Sequence, residues 1–164
     1  MLARVSRPPW SVLGRTVDEE SDDVAFQSLE SHPEAETFPG LLIIRFDADL
    51  FFANANVFAD DVREALAAAD PKPSVVLFDA ESVSDIDSTA IMVMRDLRAE
   101  LESVGIELWT ARIKTRVRET IDRVDGDDFG RLFTTVRVAV KAFQEREASD
   151  EAAAPVQGEP PADE

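Results

Sequence analysis

The sequence predicts an α/β domain, and three observations predict it. Short runs of branched apolar residues alternate with segments in which apolar side chains recur at steps of three and four. The runs are nearly continuous in apolar character, as strands covered on both faces require. Proline, glycine, asparagine and aspartate punctuate the joints between them. Such alternation implies parallel strands joined by right-handed crossovers. The pattern runs from Phe38 to Phe143 as one domain of about 105 residues, with flexible ends and no internal repeat.

The elements follow in order. Val24-Ala25-Phe26 is a short candidate strand, expected as an antiparallel edge partner of the strand after it. Pro39-Gly40 opens Leu41-Leu42-Ile43-Ile44-Arg45-Phe46, which reads as a central strand. Asn54 is placed to cap a helix, its amide oxygen accepting an orphan backbone N–H. Phe58, Val62, Ala65, Leu66 and Ala69 form the apolar face of that helix, and Asp60 and Asp61 suit its positive end. Asp70-Pro71 stops it. Val75-Val76-Leu77-Phe78 is a second buried strand ending at Asp79, followed by a loop from Ala80 to Asp87. The next helix carries Ile91, Met94, Leu97, Leu101 and Val104, with Gly105 as its C-terminal cap. Ile106 to Thr110 is a third strand. Ile113, Val117, Ile121 and Val124 mark a helix ending at Gly126, and a last helix starts near Thr135 with Val136, Ala139, Val140 and Phe143 inward.

Composition removes several classes of function. The chain has 164 residues, 17 basic and 34 acidic side chains and no cysteine. Disulfides, thiol nucleophiles and cysteine-based metal sites are therefore excluded, and a single histidine, His32, excludes a histidine-clustered metal centre. The longest apolar runs are five residues, against roughly 18 to 20 needed to cross a bilayer. A pI near 4.3 argues against nucleic acid as a partner. No secretory signal is visible. Charge is uneven: residues 1–15 hold Arg4, Arg7 and Arg15 and no acid, so the rest of the chain carries the whole acidic excess. The basic flank reads either as a solvated chain end or as a segment beside a membrane, and composition does not choose. From Gln144 the chain is acidic and proline-containing, a composition expected to stay disordered.

The residues offer no activated nucleophile, so an enzyme is not expected. Ser88 has no nearby histidine in sequence, and His32 lies in a polar stretch ahead of the first strong strand. The six glycines form neither a G-x-x-x-x-G-K-[ST] loop nor G-x-G-x-x-G. Asp47, Asp49, Asp79, Asp85 and Asp87 fall near strand ends and could hold a hard cation, but their spacing matches no calcium loop, and turn and cap roles explain them better. The segment Ser84-Asp85-Ile86-Asp87-Ser88-Thr89-Ala90 joins a buried strand to a helix, where open α/β sheets place ligands. Unpaired amides and the helix dipole favour an anion or a phosphorylated hydroxyl there. A structural role serves equally, with Asp87 as cap and Ser88 and Thr89 in the first turn. The two roles are compatible.

These residues carry a resemblance. Asp85-Ile86-Asp87-Ser88-Thr89-Ala90 resembles the corresponding segment of a STAS domain, the module shared by sulfate transporters and anti-sigma factor antagonists. Pro39-Gly40-Leu41-Leu42-Ile43-Ile44-Arg45-Phe46-Asp47-Ala48-Asp49-Leu50-Phe51-Phe52-Ala53-Asn54-Ala55 is similar to the sulfate permease (SulP) branch, with Asp49 where proline is usual. Val12-Leu13-Gly14-Arg15 and His32-Pro33-Glu34-Ala35 look like its leader, so the resemblance covers residues 12 to about 145. It implies a single domain with a mixed sheet of four or five strands packed with four or five helices. The expected division is a juxtamembrane leader at 1–20, the domain at 21–145 and a disordered acidic tail at 146–164.

The resemblance further implies the cytoplasmic C-terminal portion of a longer anion transporter, with Arg4, Arg7 and Arg15 at the lipid surface. Its partners would be the membrane portion of the same transporter and a second copy held through it. Such a domain does not move the anion but supports folding, delivery, activity and regulation. Ser88 matches the serine phosphorylated in the antagonists, whereas Ala90 replaces their glycine and Ala48-Asp49-Leu50-Phe51 replaces their Gly-Glu-Leu-Asp. The expected site is therefore Ser88 as a phosphorylation position, with Asp47, Asn54, Asp85, Asp87, Ser88 and Thr89 around a weakly held guanine or adenine nucleotide. No metal and no obligatory cofactor are expected. The alternative is a soluble phospho-switch of the antagonist kind.

Overall fold

The computed structural model describes residues 9–18, 20–124 and 129–153. In chain order the elements are β1 (Trp10–Val17), β2 (Val24–Ser28), β3 (Leu41–Phe46), α1 (Ala55–Ala68), β4 (Val75–Asp79), α2 (Ser88–Ser103), β5 (Glu107–Ala111), α3 (Thr115–Val124), β6 (Arg131–Phe133) and α4 (Val136–Ala153). One sheet runs in the order β2-β1-β3-β4-β5-β6. β3 to β6 are parallel, and β1 is antiparallel to both its neighbours.

The central strands have no polar face to offer water, so helices cover them on both sides. Leu42, Ile44, Phe46, Val76, Phe78 and Leu108 pack with the inward faces of α1, α2 and α3. The alternate residues Leu41, Ile43, Val75, Leu77 and Trp109 pack on Val136, Ala139, Val140 and Phe143 of α4. Period-2 alternation along each strand thus divides the core into two layers.

Six strands and four helices correct the expected strand count. Two strands were not legible. β6 is three residues long, too short to show a period. β1 mixes Gly14 and Arg15 into a run of apolar residues and exists because it is paired on both sides. Val12 to Arg15, expected in a leader, thus form part of the sheet. Val24-Ala25-Phe26 belongs to a strand that ends at Ser28, and its partner is β1. Asp60 and Asp61, expected at the positive end of their helix, lie beyond its first turn, and Asp61 is fully buried.

Residues 146–153, expected to be disordered, continue α4. Arg146 anchors the start of the extension: it donates to Glu107 at 2.7 Å and to Ser74 at 3.2 Å, and its guanidinium lies over the Trp109 ring. Arg4, Arg7, Gly126 and residues 154–164 lie outside the described residues.

At the carboxyl end of β4, the fully buried Asp79 is held by a two-pronged pair with Arg112, with Nε at 2.9 Å. Arg112 reaches it from a left-handed backbone conformation, φ 59°, and also pairs with Glu81 at 2.8 Å. Hydrogen bonding to Asp79 raises the guanidinium pKa above its ordinary value. Removing one partner of such a pair leaves an uncompensated buried charge. Arg112→Ala should therefore lower unfolding stability by about 3 kcal/mol in urea melts, with part of the loss recovered when Asp79→Asn is added.

Candidate functional site

The loops after β3 and β4 leave adjacent parallel strands side by side, and each must satisfy the other's backbone. A parallel bridge, Leu50↔Ile86, joins them, with Leu50 N–H donating to the Asp85 carbonyl and Asp87 N–H to the Leu50 carbonyl, each at 3.2 Å. Side chains complete the join. Asp87 stands at the N-cap of α2, where one carboxylate oxygen accepts from Ala90 N–H at 2.8 Å. Its other oxygen accepts from Phe52 N–H, also at 2.8 Å. Asp49 accepts from the N–H groups of Ser84 and Asp85 at 2.7 and 3.0 Å. Asp85 accepts from Ile86 N–H at 3.0 Å.

The helix start at Ser88 and the capping role of Asp87 are as the residues suggest. Asn54 departs from expectation. It occupies the N-cap of α1 and is buried, but its oxygen accepts from Phe51 N–H at 3.0 Å and its amide donates to the Asp49 carbonyl at 2.8 Å. It closes the turn before the helix rather than the helix itself, as asparagine does in tight turns.

Asp49, Asp85 and Asp87 are brought together with Leu50, Phe51 and Ile86 around a shallow crevice of about 260 Å³. Ser88 and Thr89 are exposed in the adjoining first turn of α2. Asp47 is not among the crevice-lining residues: it pairs with Arg45 at 2.8 Å and accepts from the Ser82 hydroxyl at 2.8 Å. The amides of α2 are less bare than expected, because the Asp87 carboxylate already holds the Ala90 N–H. An anion arriving there would meet three carboxylates.

Two cations flank the acids. Lys114 donates to the Ser84 hydroxyl at 2.8 Å, and Arg116 reaches Asp85 at 3.4 Å. Neither was singled out from the sequence. The signal available was the cluster Lys114, Arg116 and Arg118, basic residues two apart in an acidic chain. Also missed were exposed apolar side chains: Phe52 is 70% exposed, Phe51 41% and Met92 58%, the last one helical turn beyond Ser88. The two phenylalanine rings meet edge to face, 6.1 Å apart.

The arrangement offers an exposed hydroxyl beside an apolar edge. The single histidine is not part of it: His32 sits in the loop after β2, with Glu34 at 3.1 Å. Among the described residues no group of three or more His, Cys, Asp or Glu is placed to hold a metal ion. Nor is any described helix long and apolar enough to cross a membrane.

Replacing Asp87 orphans two backbone donors at once. Asp87→Ala should cost about 2 kcal/mol in chemical denaturation, and hydrogen exchange should quicken at the amides of Phe52 and Ala90.

Known proteins share this architecture. The STAS domain family matches residues 32–139. A probable sulfate transporter of Mycobacterium tuberculosis is 36% identical over 155 residues, covering 89% of this chain and 26% of that protein. The chain thus spans about a quarter of the length of this relative. The murine Solute Carrier 26 family member A9 anion transporter, in its inward-facing state, superposes with a TM-score of 0.71 at 20% identity, covering 84% of this chain and 22% of that one. A putative anti-sigma factor antagonist of Thermotoga maritima superposes with a TM-score of 0.57 at 16% identity, covering 66% of this chain and 92% of that one. At these identities the two structures share the fold alone. The family match, across β3 to β6, the crevice loops and α1 to α3, settles the assignment: the chain belongs to the STAS domain family.

Proposed function

We propose that this chain is the cytoplasmic regulatory and interaction module of a SulP-type sulfate or anion transporter, acting by contact with the membrane-embedded portion. The observation that carries this reading is the match to a probable sulfate transporter along 89% of the chain but only 26% of the relative. About three quarters of that relative lies outside the matched segment, and it is this remainder that such a module would contact. The crevice edge suits docking better than chemistry. Its carboxylates are committed to backbone N–H groups, while Phe51, Phe52 and Met92 offer apolar area to a partner. Ser88 and Thr89, exposed beside them, are where phosphorylation would add charge to that contact.

A second reading is weak nucleotide binding at the same edge. Lys114 and Arg116 support it as phosphate partners, and Asp49, Asp85 and Asp87 oppose it, which keeps affinity in the millimolar range. The antagonist-like phospho-switch draws only on the shared fold and on the exposed Ser88.

Grafting this chain in place of the matching segment of the mycobacterial relative tests the transporter reading through sulfate uptake. Uptake should persist in the graft and fall at least about fivefold with Phe52→Asp plus Met92→Asp, at unchanged membrane abundance. Equal uptake with the segment deleted would overturn the reading. In NMR titrations with guanine or adenine nucleotides, amides of residues 47–55, 85–92 and 114–116 should shift at millimolar ligand. A spectrum unmoved there removes the nucleotide reading.

A further inference from the structure

β1 changes partners along its length. On one edge its start pairs with β3, through Trp10↔Phe46 and Val12↔Ile44, and beyond Val12 that edge passes to the segment ahead of β3, bridging Glu36 through Arg15, while on the opposite edge residues 13–17 pair with β2. The switch happens beside Gly14, where a Cβ would lie 2.8 Å from the side chains of Ala35 and Leu29. β1 and β3 therefore part, and the wedge between them holds a cavity of about 400 Å³. Leu41 and Leu42 line it, with Ala65, Ala68 and Ala69 at the end of α1 and Trp10, Val12 and Leu29 toward the hairpin. A second concavity of about 310 Å³ adjoins it, sharing Trp10, Val12 and Leu29, so apolar hollows lie along both sides of these residues.

The charge around these hollows has one sign. Among the described residues, Glu30, Glu64 and Asp70 are the charged ones lining the two concavities, and none that lines them is basic. Trp10, Val12 and Leu29 are only half-buried, leaving apolar surface open to water at an acidic rim. Adjoining apolar hollows fit side chains set along a peptide, and an acidic rim selects a cationic one.

We propose that the wedge between β1 and β3 docks a cationic amphipathic polypeptide segment, whose apolar side chains fill it and whose Lys or Arg side chains meet Glu30, Glu64 and Asp70. For the source of that segment the proposal rests on the transporter reading above. Loops on the cytoplasmic side of a membrane protein carry an excess of Lys and Arg. The binding chemistry itself does not depend on that reading.

The test uses the full chain and two synthetic helical peptides with the same leucine face, one bearing lysines and the other glutamates. The protein's two tryptophans separate the signal, because Trp109 is 1% exposed while Trp10 is half-buried in the wedge. The lysine peptide should shift tryptophan emission to the blue and shield it from acrylamide, and the glutamate peptide should do neither. Ala68→Arg and Glu64→Lys, both at exposed positions of α1, should weaken binding at least about tenfold with the thermal melt unchanged. Asp150→Lys on α4 should leave it within about twofold, as a control for net charge.

Equal losses from Asp150→Lys and Glu64→Lys would overturn the proposal, as would lysine-peptide binding that leaves Trp10 unshielded. So would a dimer that Ala68→Arg dissociates, binding that tightens when residues 1–8 are deleted, or Trp10 shielding by anionic vesicles but not by the peptide. Those outcomes assign the wedge to a second copy, to the chain's own start, or to lipid. Sulfate uptake in the graft described above distinguishes failure of this proposal from failure of the transporter reading. A graft that works with peptide binding absent removes only the wedge's occupant.

Discussion

The site depends on one constraint: two loops leaving neighbouring parallel strands must house their backbone N–H groups without a ladder to receive them. Leu50 and Ile86 supply one bridge, and Asp49, Asp87 and Asn54 supply the rest. Each such acceptor contributes about 1 kcal/mol, more where the donor is shielded from water, as at Phe51 and Ala90, than where it is exposed, as at Phe52, Ser84 and Asp85. The aspartates that cluster here are therefore acceptors for peptide groups before they are anything else. Asp87 is the most committed, because one oxygen holds the first turn of α2 and the other the loop before α1, which fixes where α2 begins relative to the chain that precedes α1.

That commitment sets the electrostatics of the crevice. Carboxylates occupy the position where the positive end of α2 would otherwise attract an anion, so the dipole is largely answered from within. The cations arrive from outside the loops, from Lys114 and Arg116 around the start of α3. Exposed pairs of this kind contribute little stability, which leaves both side chains able to exchange partners. The rigid part of the site is its acids and the adaptable part is its bases.

Much of the domain was legible in the residues themselves. β3 and β4 announce themselves by runs of branched apolar residues, α2 by its spacing of apolar residues, and the helix start at Ser88 by the aspartate before it. What was not legible is long-range. β1 is a strand because β2 and β3 flank it, and no window of its own sequence says so. Asp61 is buried by tertiary packing that its local charge pattern contradicts. Asn54 was read as a helix cap because position and residue type agreed, yet the donor that reached it belongs to the turn before. The wedge beside β1 arises from a change of pairing partner, an event with no local signature beyond Gly14. The tail was misread at its start because Arg146 stacks on a tryptophan far away in the chain.

α1 gives the molecule a mechanical property. Its first turn follows Asn54 at the crevice, and its last carries Ala65 and Ala68 at the wedge, so 14 residues span both places over about 21 Å. A helix of that length behaves as a stiff strut. Its buried face, from Ala55 and Phe58 to Val62 and Ala65, is seated in the core, so the strut holds the two surfaces at a fixed spacing.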